Sequence, residues 1–212
     1  PYMGLEIPNN SQQRMTVYLS EVIGSSEFEN SRSPLTLALG KDIGGNPVIA
    51  DLARLPHLLI GGTTGSGKSV AVNSMILSLL FKCDPTQLRL VLIDPKLVEF
   101  SLYQGIPHLL CPVVTDMNKA ANALNWLVQE MDHRYALMSH LGVRSFDVYN
   151  EKVRAASEAG TPLMDPFDVT PESPEANKPL KTFPYIVCFI DELADLILVQ
   201  RRQVETLIMR LA

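Results

Sequence analysis

Cysteine is scarce in this sequence, and its three residues are far apart. Cys83, Cys111 and Cys188 form no C-x-x-C pair. A disulfide framework or a structural zinc site requires more cysteines at closer spacing. We therefore expect the three to be small core residues in a reducing compartment, rather than metal ligands or nucleophiles.

The sequence also lacks an excess of basic residues and a long apolar run. Lys and Arg number 18 against 23 Asp and Glu, so the formal net charge is -5. Composition therefore gives no sign of a nucleic-acid partner, although it does not exclude a local basic patch. No apolar run approaches the ~18–20 residues that span a bilayer. The 212 residues suit one domain, or one plus a small appendage, and we expect them to be a stretch of a longer protein.

What the sequence does contain is a phosphate-binding loop. Gly62, Gly67, Lys68 and Ser69 fit the pattern G-x-x-x-x-G-K-[ST]. The apolar run 57–60 before the loop predicts a buried parallel strand. The stretch after the loop is apolar nearly all round, which predicts a helix buried on several sides. The order strand, loop, helix is the context that this motif requires, against the alternative of a glycine-rich turn that merely caps a helix.

The residue types of the loop suit the binding of nucleotide phosphates. Its glycines let the backbone curl so that successive N–H groups point inward, and the following helix adds the positive end of its dipole. Lys68 can reach the outer phosphates as a point charge, and the Ser69 hydroxyl can bind Mg²⁺. The predicted nucleotide-binding residues are Gly62, Thr63, Thr64, Gly65, Ser66, Gly67, Lys68, Ser69 and Val70.

A second motif with a possible chemical role follows another apolar strand, which is predicted over residues 183–190. This strand ends in Asp191 and Glu192, the pattern of a Walker B strand. We predict that Asp191 holds Mg²⁺ and that Glu192 polarises the attacking water as a general base. Asp94 also ends a predicted strand and competes for the carboxylate role. A guanine-reading N-K-x-D motif does not occur, so the pattern favours ATP over GTP.

The rest of the chain predicts alternating strands and helices. Apolar residues spaced three and four apart predict a helix over 121–138, with Asp116 or Asn118 as cap and Gly142 past its end. The proline-rich stretch 160–182 has no periodicity and is interpreted as a mobile insertion. The other predicted elements are a short helix near 17–23, a hairpin over 35–50, strands over 88–93 and 107–114, and a helix over 145–159.

Taken with further motifs, the chain resembles the FtsK/SpoIIIE family of DNA translocases from about Leu35 to Ala212. The specific motifs are Asp94-Pro95-Lys96, Glu99, Pro107-His108, and Glu130-Met131 with Arg134-Tyr135. The resemblance implies an α/β fold, a RecA-like P-loop NTPase core whose mainly parallel sheet is flanked by helices. Residues 1–34 would be the tail of the family's small N-terminal subdomain. Residues 35–212 would be the ATPase domain, truncated at its C-terminal side.

The resemblance also implies a function. Lys68 and Ser69 match the family's Walker A positions, and Asp191 and Glu192 match its Walker B positions. Such proteins bind ATP and Mg²⁺, form a hexameric ring around double-stranded DNA, and move chromosomal DNA during cell division. The parent protein is expected to be anchored in the bacterial inner membrane, with this stretch in the cytoplasm and without direct membrane contact. Further family elements fall beyond Ala212, so residues 1–212 alone are expected to have weak or no DNA-stimulated ATPase activity.

Two other functions stay open from the residues alone. One is a P-loop phosphotransferase acting on a small molecule, and the other is a nucleotide-binding module without turnover in isolation. An arginine from a neighbouring subunit is expected to complete the site. The arginines of this chain are candidates for that role by residue type only, and a surface salt bridge is the favoured interpretation for each. Lys96 and Glu99 suit either a pair near the γ-phosphate or a subunit contact. The candidate arginines are Arg134, Arg201 and Arg202.

Overall fold

The computed structural model describes residues 15–63, 65–167 and 178–212 of the chain. These residues fall in two compact units that divide after Lys82. The first unit contains α1 (Leu19–Ile23), α2 (Ser26–Glu29), β1 (Thr36–Lys41), β2 (Pro47–Asp51) and α3 (Lys68–Lys82). The second contains β3 (Leu88–Ile93), a 3-10 turn (Ser101–Tyr103), α4 (Met117–His140), α5 (Phe146–Glu158), β4 (Tyr185–Ile190) and α6 (Leu193–Leu211).

The first unit is built on the predicted hairpin, which is confirmed. β1 and β2 pair antiparallel, and the Asp42 carboxylate closes their connection by accepting the N–H groups of Gly44 and Asn46. Helix α3 packs against β1. The Ser78 hydroxyl of α3 accepts the Ala38 N–H at 3.0 Å, so a buried side chain ties the helix to the hairpin.

The predicted strand over residues 57–60 is wrong. Those four residues form no strand, and Leu58 and Leu59 are 47% and 83% exposed. A strand takes hydrogen-bond partners from a neighbouring strand, and an apolar run alone does not provide that neighbour. Within the described ranges, the two sheets consist of β1 with β2 and of β3 with β4.

The second unit is organised around a parallel pair of strands. β3 and β4 pair in register from Leu88 with Tyr185 to Ile93 with Ile190. The predicted strands over 88–93 and 183–190 are therefore confirmed, the latter beginning two residues later. Parallel pairing brings the carboxyl ends of both strands to one edge.

Helices α4 and α5 confirm the predicted helices and their ends. The Asp116 carboxylate caps α4 by accepting the N–H groups of Asn118 and Lys119. Gly142 follows the helix with a φ of +66°, a conformation that favours glycine. Ser145 caps α5 through the Val148 N–H. Helices α4 and α6 pack together over the sheet, where they form one apolar cluster with β3.

The predicted strand over 107–114 is only partly formed. The segment runs parallel to β3, but it forms two isolated bridges, at Leu109 and Val114, instead of a continuous ladder. Pro112 lies between the bridges and has no N–H to donate, and proline also restricts the residue before it. The segment is therefore hydrogen-bonded to β3 at both ends and interrupted between them.

The proline-rich stretch 160–182 is described only at its ends, because residues 168–177 lie outside the described ranges. Those ends pair with each other: the Asp165 N–H donates to the Lys178 carbonyl, and the Leu180 N–H donates to the Leu163 carbonyl. None of the described helices is both long and apolar enough to cross a membrane.

Candidate nucleotide-binding site

The phosphate loop lies in the first unit and is curled as the sequence predicts. Gly65 and Gly67 have φ angles of +79° and +92°, which a residue with a side chain rarely adopts. A Cβ on Gly62 would lie 2.2 Å from the Ser66 hydroxyl oxygen. Ser66 N–H donates to the Thr63 carbonyl at 3.0 Å. The backbone favours glycine at Gly65 and Gly67, and a side chain on Gly62 would require the Ser66 hydroxyl to move. The predicted loop residue Thr64 lies outside the described ranges.

Helix α3 begins directly at Lys68, so its N-terminus faces the loop. The first N–H groups of a helix have no acceptor within the helix itself, and the helix dipole favours an anion there. Two side-chain bonds brace this first turn: Asn73 donates to the Ser69 carbonyl and Ser74 to the Val70 carbonyl. An exposed glycine cradle before a braced helix N-terminus fits a phosphate group.

Asp191 and Glu192 lie in the second unit, at the carboxyl edge of the parallel strands. The Asp191 N–H donates to the Ile93 carbonyl at 3.0 Å, which extends the ladder by one bond. Glu192 is the N-cap of α6, with φ −102° and ψ 84°, and its carbonyl accepts the Asp195 N–H. Both residues are half-buried. The loop residues and this pair belong to different units.

The predicted ligands Ser69 and Asp191, which lie in different units, each offer the type of donor that Mg²⁺ takes. No group of three His, Cys, Asp or Glu that would hold a metal occurs among the described residues. Mg²⁺ is commonly bound by one or two protein oxygens together with substrate phosphates. The Ser69 hydroxyl and the Asp191 carboxylate are oxygen donors of that kind.

Asp94, the competing candidate for the carboxylate role, has a structural role instead. It is wholly buried, and its two carboxylate oxygens accept the N–H groups of Lys96, Glu99 and Phe100 at 2.9–3.1 Å. These bonds close the turn after β3, in which Leu97 has a φ of +50°. Because its oxygens are used in this way and shielded from solvent, Asp94 stabilises the turn.

Replacing Asp94 with alanine is expected to destabilise the protein by about 2–3 kcal/mol, since one buried donor without a partner costs about 1–3 kcal/mol. Urea unfolding measures this loss. Asp132→Ala is the matched control because its ion pair with Arg210 is half-exposed on both sides, and such a pair contributes about 0–1 kcal/mol. Equal losses in the two variants would contradict the structural role of Asp94.

Two of the three candidate arginines already have protein partners. Arg134 Nε lies 2.7 Å from Glu130, a second nitrogen donates to the Pro184 carbonyl at 2.7 Å, and the guanidinium lies over the Phe183 ring. Arg201 pairs with Glu205 one turn along α6. Arg202 is exposed. These contacts favour the salt-bridge interpretation for Arg134 and Arg201.

Sequence reasoning missed one residue near Glu192. Asp195, in the first turn of α6, lies 3.3 Å from the Lys96 ammonium group. The available signal was a carboxylate one turn beyond the Asp191-Glu192 pair. That signal does not separate a functional carboxylate from an ordinary one, because acidic residues are common in the first turn of any helix.

The cysteine at the centre of β4 is expected to react slowly with thiol reagents. Burial, with a smaller contribution from the thiol of Cys111, raises the pKa of Cys188 to about 12. Since only the thiolate reacts, iodoacetamide at pH 8 should alkylate Cys188 about a thousandfold more slowly than the same thiol in unfolded protein. Mass spectrometry of native and urea-unfolded samples measures the two rates. Similar rates in both samples would show that the thiol is not shielded.

The match to a protein family and the matches to curated relatives point to the same family over nearly the whole chain. The FtsK/SpoIIIE family model matches residues 18–212. DNA translocase FtsK 1 of Neisseria meningitidis serogroup A is 56% identical over 210 residues, which cover 99% of this chain and 25% of the relative. DNA translocase FtsK of Vibrio parahaemolyticus is 57% identical over 213 residues, which cover 100% of this chain and 20% of the relative. The Pseudomonas aeruginosa DNA translocase FtsK is 56% identical over 211 residues, which cover 99% of this chain and 26% of the relative. The chain therefore spans a fifth to about a quarter of the length of these curated relatives.

Two solved structures share the fold. The pCW3 conjugation coupling protein TcpA, in a monomer form with ATPgS, has a TM-score of 0.57 at 22% identity, covering 85% of this chain and 43% of its own. The cytoplasmic domain of the Thermomonospora curvata type VII secretion ATPase EccC has a TM-score of 0.58 at 19% identity. The match covers 92% of this chain and 21% of that one. These likenesses confirm the predicted α/β fold, in which the parallel strands β3 and β4 pack with helices.

Proposed function

Because the chain belongs to the FtsK/SpoIIIE family, we propose that it is part of the motor of an ATP-driven double-stranded DNA translocase. The observation that carries this proposal is the 56–57% identity to proteins named DNA translocase, extending over 99–100% of the chain. Chromosome segregation during cell division is the process in which we place the parent protein. We assign residues 35–212 to the ATPase domain and residues 1–34 to the end of a small N-terminal subdomain.

The chain's residues take distinct roles in ATP hydrolysis. Residues 62–70 bind the phosphates through backbone N–H groups at the start of α3, and Lys68 adds a positive charge at the outer phosphates. Ser69 and Asp191 supply oxygen ligands for Mg²⁺. When bound, the metal neutralises charge on the phosphate oxygens. Glu192 accepts a proton from the attacking water and orients it.

A ring of subunits completes this mechanism. We propose that six copies assemble around duplex DNA and that an arginine from the neighbouring copy stabilises the charge that develops during hydrolysis. Among the three arginines considered, Arg202 retains the strongest claim, because it is exposed and the other two have carboxylate partners. The parent protein is proposed to be anchored in the bacterial inner membrane, with this domain on the cytoplasmic side and away from the lipid.

Measuring ATP turnover by the parent protein with and without duplex DNA tests the proposal. A DNA translocase should turn over ATP many times faster when duplex DNA is present. A small-molecule phosphotransferase should be indifferent to DNA, and that result would contradict the proposal. Mass measurement in solution with ATP and duplex DNA should give a hexamer, whereas a nucleotide-binding module without turnover would show neither effect.

A further inference from the structure

Lys96 connects the turn after β3 to the helix that follows Glu192. Its Nζ lies 3.3 Å from a carboxylate oxygen of Asp195. From this contact we propose that Lys96 is a positioning residue for Glu192 and acts through Asp195. The inference rests on the proposed function, in which Glu192 is the general base.

The turn that carries Lys96 is held firmly in place. Asp94 accepts the Lys96 N–H at 3.1 Å and the Glu99 and Phe100 N–H groups at 2.9 Å. Phe100 is fully buried and anchors the far end of the turn. The backbone of Lys96 is therefore fixed, so its side chain reaches Asp195 from a defined starting point.

Asp195 is joined in turn to Glu192. The Asp195 N–H donates to the Glu192 carbonyl at 3.2 Å, in the first turn of α6. On the other side, the Asp191 N–H donates to the Ile93 carbonyl. The backbone of Glu192 is thus held between two contacts with the β3 side, one through Asp191 and one through Asp195 and Lys96.

This arrangement matters because Glu192 does not have helical backbone angles. Its φ of −102° and ψ of 84° lie outside the helix that it caps, so its backbone is not held by helical neighbours on both sides. The Asp195 N–H bond to its carbonyl ties it to the first turn of α6. Loss of the Lys96 contact would let that first turn shift, and a general base displaced from its water works more slowly.

The exposure of the pair indicates that its loss would cost little stability. The Lys96 and Asp195 side chains are 60% and 37% exposed. Ion pairs with this exposure contribute little to folding. Lys96→Met and Asp195→Asn should therefore fold and assemble as the wild type does.

The test measures kcat and KM for ATP in the parent protein with saturating duplex DNA. Lys96→Met and Asp195→Asn are each expected to lower kcat about three- to tenfold with KM unchanged, because only orientation is lost. The double variant should be no slower than the slower single variant, since both remove the same contact. Lys96→Arg should recover most of the activity, and Lys119→Met, which removes an exposed lysine of α4, should leave kcat unchanged.

Five results would overturn the inference. A raised KM with unchanged kcat in Lys96→Met would mean that Lys96 contacts the nucleotide, and loss of the hexamer would place it at a subunit contact. Effects that multiply in the double variant would mean that the two residues act independently. Wild-type protein without DNA-stimulated turnover would contradict the proposed function and the inference with it. Normal wild-type turnover with unaffected variants would contradict the inference alone.

Discussion

Lys68→Ala is expected to lower DNA-stimulated ATP turnover by the parent protein at least ~100-fold, because removing one preorganised electrostatic contact to a reacting group costs about 10²–10³ in kcat. Lys68 is the first residue of α3, and it follows a loop whose glycines would let the backbone approach the phosphates of a bound nucleotide. Alanine keeps the helix intact and removes only the positive charge. ATP binding should weaken as well, since ground-state phosphates meet the same side chain.

Steady-state turnover and equilibrium binding of a fluorescent ATP analogue together measure this prediction. Lys41→Ala is the matched control, because it removes a lysine of the same unit that pairs with Glu21. The control should keep wild-type turnover and nucleotide affinity. Wild-type turnover in Lys68→Ala would mean that the loop does not carry the chemistry assigned to it.

Glu192→Gln is expected to separate hydrolysis from binding. Glutamine keeps the size of the side chain and can still accept a hydrogen bond, but it cannot take a proton at neutral pH. General bases contribute about 10²–10⁴ to rate, so turnover should fall by about that factor. Nucleotide affinity should stay close to the wild-type value, in contrast to Lys68→Ala, because Glu192 is assigned to the water and not to the phosphates.

Single-turnover measurements with radiolabelled ATP distinguish slow chemistry from slow product release in this variant. Glu205→Gln is the control, since it changes another glutamate of α6 whose partner is Arg201. If Glu192→Gln hydrolysed bound ATP at the wild-type rate, another group would have to be the base. If it lost nucleotide binding, Glu192 would have to act on the phosphates.

Local signals in the sequence were enough to predict most elements of this fold. The three-and-four spacing of apolar residues, the Asp116 cap and Gly142 together define α4 within a few residues. The same holds for α5, where the Ser145 hydroxyl caps the helix. The curl of the phosphate loop followed from its glycines, since positive φ angles at Gly65 and Gly67 are a local property. In each case the interactions that fix the element lie within a few residues of it.

The failures over residues 57–60 and 107–114 involve strand partners that are distant in sequence. Residues 57–60 and 107–114 are apolar enough for strands, but pairing depends on which backbone groups lie beside them. The first run forms no ladder in the described chain, and the second is interrupted at Pro112. Asp94 was predicted as a possible ligand because of its place at a strand end. Its actual partners are backbone N–H groups that become available only once the turn has formed.

The Lys96–Asp195 contact was beyond sequence reasoning for the same reason. Parallel pairing of β3 with β4 brings the two strand ends together, and neither residue signals the other locally. The family resemblance matched Lys68 and Ser69 to the family's Walker A positions and Asp191 and Glu192 to its Walker B positions, and the roles of these residues stay predictions. It did not identify how the Walker B residues are supported.

Displacement of a protein roadblock from linear duplex DNA tests the central claim most directly. The parent protein with ATP and Mg²⁺ should strip a tightly bound protein, such as streptavidin on a biotinylated end, from the duplex. The same protein with a non-hydrolysable ATP analogue should leave it in place, as should Lys68→Ala with ATP. ATP hydrolysis by a DNA-bound hexamer that leaves every roadblock in place would contradict the account of this chain as part of a translocating motor.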